Sequence, residues 1–239
     1  MLRKILGGFS DIVRFFIVNL PGNTGRKVRY VYYKNKFKRC GNNVLIDEGV
    51  VIQNPEWISV GDNVWIDKYC ILMAGKVNLE GKIYKSRPNA DFKGEEGELI
   101  IGSNIHIAPF CVIQAHGGVS IGNNCSFSSS VKLYSLTVLS NNPINPLEKT
   151  FFSPFYDKAA HFISPITLGN NVGIALNSTV MAGVTLGADS FVTINSVVFF
   201  KVPPNSYVSG NPAVRVKERF KHEGESSIRR VSEGIITGG

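Results

Sequence analysis

No membrane-length apolar run opens this chain: in its first 39 residues the longest uninterrupted apolar stretch is Phe15-Phe16-Ile17-Val18, against the roughly 20 residues a spanning helix needs. Nor does the segment read well as a secretory leader, because Asp11 and Arg14 interrupt it and no clear small-residue cleavage site follows; the expectation is a cytoplasmic protein. The four cysteines, Cys40, Cys70, Cys111 and Cys125, show neither C-x-x-C spacing nor a histidine at ligand distance, which argues against zinc and fits a reduced compartment. Acidic residues are scarce in one place only. Residues 1–39 carry ten Lys/Arg against Asp11, the remainder sixteen against seventeen acids, so the whole formal charge of +8 is N-terminal. A basic excess confined to an apolar-rich terminus gives no nucleic-acid groove. Otherwise 44% hydrophobic and 18% charged residues over 239 positions are ordinary for a globular protein.

What is present is a repeat. Aliphatic residues recur every six positions at Leu168, Ile174, Val180, Leu186, Val192 and Val198; the same phase runs through Ile101, Ile107, Ile113, Ile121, Phe127 and Leu133, and through a stretch starting at Cys40. A period of six suits neither a 3.6-residue helix nor a straight alternating strand, but it suits short strands joined by turns in a coil of three hexads. The fold expected is all-β: a parallel β-helix of about six coils, starting at 40, 60, 101, 121, 168 and 186. The fifth position of each hexad is small or β-branched (Val64, Cys70, Cys111, Cys125, Val172, Ser178, Ser190, Ser196), so three cysteines read as small core residues.

Extra residues fall only in the third hexad of a coil: two each in "IQNPEWIS" and "IQAHGGVS", and long excursions over about 76–98 and 139–165. Insertions that all decorate one edge of a rigid solenoid mark the edge where binding is built. The organisation expected is a basic amphipathic segment over 1–39, the β-helix over 40–204, and a C-terminal segment with a polar tail over 205–239.

The stretch from Pro165 to Phe220, with "VP" at 202–203 and "GNPA" at 210–213, closely resembles the end of the hexapeptide-repeat acyltransferases, left-handed β-helix enzymes that acetylate sugars and other small acceptors from acetyl-CoA. The opening "LPG…GRKVRYVYYKNKFKRCGNNV" looks like the subset of surface-polysaccharide biosynthesis. The resemblance spans roughly 20–220. It implies a homotrimer with active sites between prisms, acetyl-CoA as acyl donor without a metal, and direct transfer in which a histidine takes the acceptor proton while a backbone N–H stabilises the oxyanion. It also points to Ala175, Gly183 and Asn195 for CoA, with Lys201, Arg215 and Lys217 near its phosphates. Two positions depart from the pattern: Gly173 stands where relatives often carry tryptophan, and Phe199-Phe200 where a Thr-Lys pair is common.

A larger departure concerns the base. Many relatives place the catalytic histidine just after a "YS"-like stretch, and here "LYSLTVLSNNPINP" (133–146) has none. His116, fourth in its third hexad, lies one coil below that position on the decorated edge, with Gly117 and Gly118 expected to leave room for a ligand; it is either the base or a turn residue. His161, just before the chain rejoins the coil, is the other candidate, in a loop able to swing over the groove. His106 falls in a first hexad, on another face, and His222 in the tail. Asp157 or Glu148 is placed to orient a histidine, and Asn141 and Asn142 to bond a sugar hydroxyl, though turn chemistry explains "SNNP" as well.

Ile5, Leu6, Phe9, Ile12, Val13, Phe16, Ile17 and Leu20 form one helical stripe, followed by the basic, aromatic "RKVRYVYYKNKFKR". Two readings fit: a helix lying on an anionic membrane at the inner face, or a cap on the open end of the solenoid. The function expected is O-acetylation of a sugar in a surface polysaccharide or its nucleotide- or lipid-linked precursor. The alternative is a solenoid that has lost its base and serves binding or assembly. A γ-class carbonic anhydrase needs three zinc-binding histidines, which four dispersed ones do not supply.

Overall fold

The computed structural model describes residues 12–78, 82–85, 91–145, 147–150 and 159–221. Short strands from successive repeats stack into three long sheets of six, six and eight strands. Pairing between repeats is parallel and in register, as in Val112↔Lys132 and Ile113↔Leu133, and within these three sheets, among the described residues, only the last strand, Ala213–Glu218, turns back antiparallel. The hexad aliphatics point inward: Ile107, Ile113, Phe127, Leu133, Val180, Leu186 and Val198 are all fully enclosed in one continuous core. Cys70, Cys111 and Cys125 are buried free thiols in that core.

The recurrent Gly-x-Asn at the start of each repeat has a backbone cause. Asn43, Asn63, Asn104, Asn124 and Asn171 have φ between 53° and 59°, a left-handed conformation that asparagine tolerates better than most residues. Their amides bond in a line, Asn43 to Asn63, Asn63 to Asn104 and Asn104 to Asn124, at 3.0 Å each. The preceding glycines stack without room for a side chain; a Cβ on Gly122 would lie 2.6 Å from the Gly169 carbonyl. Backbone cannot yield as a side-chain tip can, so Gly122→Ala is expected to cost about 1–3 kcal/mol, read as a lower denaturation midpoint at unchanged m-value.

Of the two readings of the N-terminus, the packing supports the cap. The second helix, Gly22–Lys34, buries Gly25, Arg29 and Tyr33, and Tyr33 and Phe37 join the core, so this helix caps the first coil. The first, residues 12–19, leaves Ile12, Val13, Phe15 and Phe16 exposed. The earlier part of its apolar stripe lies outside the described residues. No helix among the described residues is long and apolar enough to cross a membrane.

Beneath the cap, Asp47 is buried and accepts hydrogen bonds from Arg26 and, at 2.9 Å, from Trp65 Nε1. Burial pushes its carboxyl up, but the bonds from Arg26 and Trp65 and the guanidinium charge outweigh it and hold the group below the usual carboxylate range. A depressed folded value adds stability above the unfolded pKa of about 3.9 that is lost as pH falls through the folded one. Denaturant titrations at stepped pH should therefore show Asp47→Asn less stable at neutral pH, with a shallower decline below about pH 4 than the parent.

Candidate active site

The decorated edge lies between the sheet containing Val112–Gln114 and the one containing Val119–Ile121. From it the chain departs after Tyr134-Ser135 into the strand Leu136–Val138, which pairs antiparallel with Ala160–Ile163; that strand pairs in parallel with Lys82–Lys85. The two long excursions thus meet in one three-stranded flap. Its root is pinned: Leu136 N–H donates to Gln114 Oε1 at 3.0 Å, Ser135 Oγ donates to the Gln114 carbonyl at 2.7 Å, and Ser164 N–H donates to the Ser135 carbonyl at 3.0 Å.

Between flap and solenoid lies a cavity of about 440 Å³, lined by Gln114, Tyr134 and Met181 from the solenoid and Leu136, Thr137, Val138 and His161 from the flap. His161 therefore sits in a strand, not in the open loop the sequence suggested, and it stands opposite Val138. The residue is 5% exposed, and its Nε2 is enclosed without a hydrogen-bond partner among the described residues. A buried ring nitrogen left unbonded costs free energy unless something else meets it.

His116 occupies the expected corner but in a packed setting. Its Nδ1 lies 2.9 Å from the Gly75 carbonyl; a carbonyl only accepts, so Nδ1 carries a proton, and in the neutral ring the lone pair falls on Nε2. The room expected around Gly117 and Gly118 is absent. Both are buried, a Cβ on Gly117 would meet the Ser135 carbonyl at 2.6 Å, and one on Gly118 would meet the Phe92 ring at 2.5 Å. His106 stacks on Trp65 at 4.5 Å, on the face beside the cap.

Asn142 is buried, with Oδ1 accepting from Tyr84 Oη at 2.7 Å and from two backbone N–H groups, while Nδ2 donates to Glu148 at 2.6 Å. Its bonds hold the loop, and Asn141 is exposed beside it. Asp157 lies outside the described residues, as does His222. Ala175 and Asn195 share one corner of the prism, where Asn177 donates to Asn195 at 2.9 Å. Gly183 and Lys201 share the decorated corner; Gly183 has φ +85° and faces Ser164, and Lys201 pairs with Asp91 at 3.1 Å. Arg215 and Lys217 lie on the last strand, Arg215 donating to Ser206 Oγ at 2.9 Å and Lys217 over the Tyr207 ring. One chain does not gather these six around one point. Phe191 covers Gly173, 2.8 Å from where its Cβ would be.

Sequence reasoning missed Gln114, Tyr134 and Met181. Each follows its inward aliphatic by one residue, so each points outward, and the register Gln114↔Tyr134 and Tyr134↔Met181 stacks them. That signal was in the hexads. Among the described residues no group of three His, Cys, Asp or Glu comes together to hold a metal ion.

No protein-family model matches the chain. A protein of Escherichia coli K12 named as the colanic acid biosynthesis acetyltransferase WcaF is 31% identical over 131 residues, covering 52% of this chain and 71% of that one. The dTDP-4-amino-4,6-dideoxy-D-glucose acyltransferase of E. coli is 28% identical over 190 residues, 77% of this chain and 84% of the other. In three dimensions the chain is similar to the N-acyltransferase AntD of Bacillus cereus, solved with dTDP and coenzyme A, with a TM-score of 0.63 at 23% identity over 81% of this chain and 90% of that chain. A hexapeptide-repeat acetyltransferase of Vibrio cholerae, solved with acetyl coenzyme A, gives 0.53 at 19% identity over 87% and 84% of the two chains. With its hexad core, its single decorated edge and these relatives, the chain belongs to the hexapeptide-repeat acyltransferase family.

Proposed function

We propose that the protein transfers an acetyl group from acetyl-CoA to a sugar hydroxyl of a surface polysaccharide or of its nucleotide- or lipid-linked precursor, on a left-handed solenoid of six coils. The observation that carries this reading is the cavity under the flap, walled by His161, whose Nε2 has no hydrogen-bond partner among the described residues. A hydroxyl is a poor nucleophile until a base takes its proton. In the step proposed, His161 takes that proton, the oxygen bonds to the thioester carbonyl carbon, the C–S bond breaks, and the imidazolium returns the proton to the departing sulfur. His116 is the second reading for the base, favoured by the Gly75 carbonyl that leaves its Nε2 with a lone pair.

A homotrimer completes the donor side. Ala175 and Asn195 stand on one corner of the prism, Gly183 and Lys201 on another, so one CoA reaches both sets where corners of two copies meet. The 28% identical relative named for a dTDP-linked amino sugar favours a second acceptor class, an amine in place of a hydroxyl. Thiol release from acetyl-CoA, followed with hydroxyl and amino sugar nucleotides and with a membrane extract of lipid-linked glycans, separates the cases. Release dependent on a hydroxyl acceptor is expected. Release only with the amino sugars moves the assignment to N-acylation, and none with any acceptor leaves a binding solenoid.

A further inference from the structure

We propose that the capped end of the solenoid docks on a membrane leaflet rich in anionic lipid. Residues 12–39 contain eight Lys/Arg and no Asp or Glu. Arg29 is buried, Arg26 pairs with Asp47, and Lys38 pairs with Glu98. Arg14, Lys27, Lys34, Lys36 and Arg39 are exposed and make no ion pair among the described residues. On the same two helices Ile12, Phe15, Phe16 and Val31 are exposed by 57%, 63%, 67% and 69%.

Both helices lie against the first coil. Arg14 donates to the Ile52 carbonyl at 2.9 Å, Gly49 N–H donates to the Val18 carbonyl at 3.0 Å, and Arg29 donates to the Ile46 carbonyl at 2.7 Å. A recess of about 350 Å³ opens beside them, with Arg14 and Lys36 on its walls and Glu56 as the one carboxylate among its lining residues. Its size and net charge suit a headgroup phosphate.

Charge decides between the occupants of this face. A second copy would bring the same unpaired cations against their counterparts, and like charges juxtaposed across an interface repel. An anionic leaflet satisfies both features, taking the phenylalanines into the acyl boundary and the cations among its phosphates. One consequence rests on the acceptor reading above. Gln114 and Met181 lie two and four strands along their sheet from the end strand Val51–Gln53, about 10–20 Å from it at about 4.8 Å per strand; with the cap helices, about 10 Å across, lying between, the cavity stands about 20–30 Å from the leaflet, a span for a sugar on an extended lipid-linked carrier.

The test is co-sedimentation of the full chain with vesicles of phosphatidylcholine alone or mixed with phosphatidylglycerol; it uses no acceptor, so it stands or fails apart from the catalytic assignment. Binding to the mixed vesicles that falls with added salt is expected, with little to phosphatidylcholine. The pair Phe15→Asp and Phe16→Asp should abolish it, and Lys27→Gln with Lys34→Gln should weaken it about 25-fold, at about fivefold per cation. Far-UV circular dichroism checks that both variants stay folded. Equal binding to both vesicle types, no binding, or binding untouched by the aspartates overturns the proposal. Variants that change the sedimentation coefficient without lipid, and not lipid binding, make the face an interface between copies instead.

Discussion

His161→Ala is expected to lower acceptor-dependent thiol release by about 10²- to 10⁴-fold, the usual contribution of a positioned general base, while CoA binding persists. The same assay on His116→Ala should show a few-fold change at most, because that ring ties two corners together through the Gly75 carbonyl and its neighbours fill the space a ligand would need. A purely structural His161 would also lower activity when removed, so the decisive readout is rescue. Imidazole added to His161→Ala should restore turnover in a saturable way, since the truncated side chain enlarges a cavity of about 440 Å³ already open beneath the flap. A loss confined to His116→Ala, with His161→Ala near the parent, would transfer the role to His116.

The second large effect is on stability. Arg29 has no exposed surface, yet its guanidinium donates to the carbonyls of Ile46 at 2.7 Å, Leu20 at 2.6 Å, Ile17 at 3.1 Å and Val18 at 3.3 Å. Ile17 and Val18 lie in the last turn of the first helix and Leu20 just past it, where helix carbonyls lack intrahelical donors and a positive charge complements the helix dipole. Burial lowers the Arg29 pKa, with Asp47 and Glu48 opposing. Arg29→Met would keep the apolar stem but remove the donor to Ile46, Ile17 and Leu20, while Val18 keeps the Gly49 N–H at 3.0 Å, at about 1–3 kcal/mol for each carbonyl that water does not reach. A total loss of about 3–5 kcal/mol is expected, together with fast amide exchange across 12–20. Unchanged exchange there would show that the first helix is held by other contacts. The exposed Phe15 and Phe16 should by contrast tolerate substitution with little change in stability.

The hexad spacing by itself determined the solenoid, its inward aliphatics and the edge from which every insertion departs, because a side chain crowded into a corner or a core restricts residue type at each turn, and such restrictions are written locally. The 3.6-residue period of the N-terminal stripe likewise foretold the helix over 12–19. Tertiary structure decided the rest. His161 became a strand residue only because Lys82–Lys85 and Leu136–Val138 pair on either side of it, contacts between excursions far apart in sequence that no repeat encodes. The space expected around His116 vanished for the same reason: Phe92, from one excursion, and Ser135, at the root of the other, occupy it. The stripe's period could not say whether its face is covered; only the packing of Tyr33 and Phe37 into the core, with Phe15 and Phe16 left outside, separates a helix that caps the first coil from one that is free to meet a membrane.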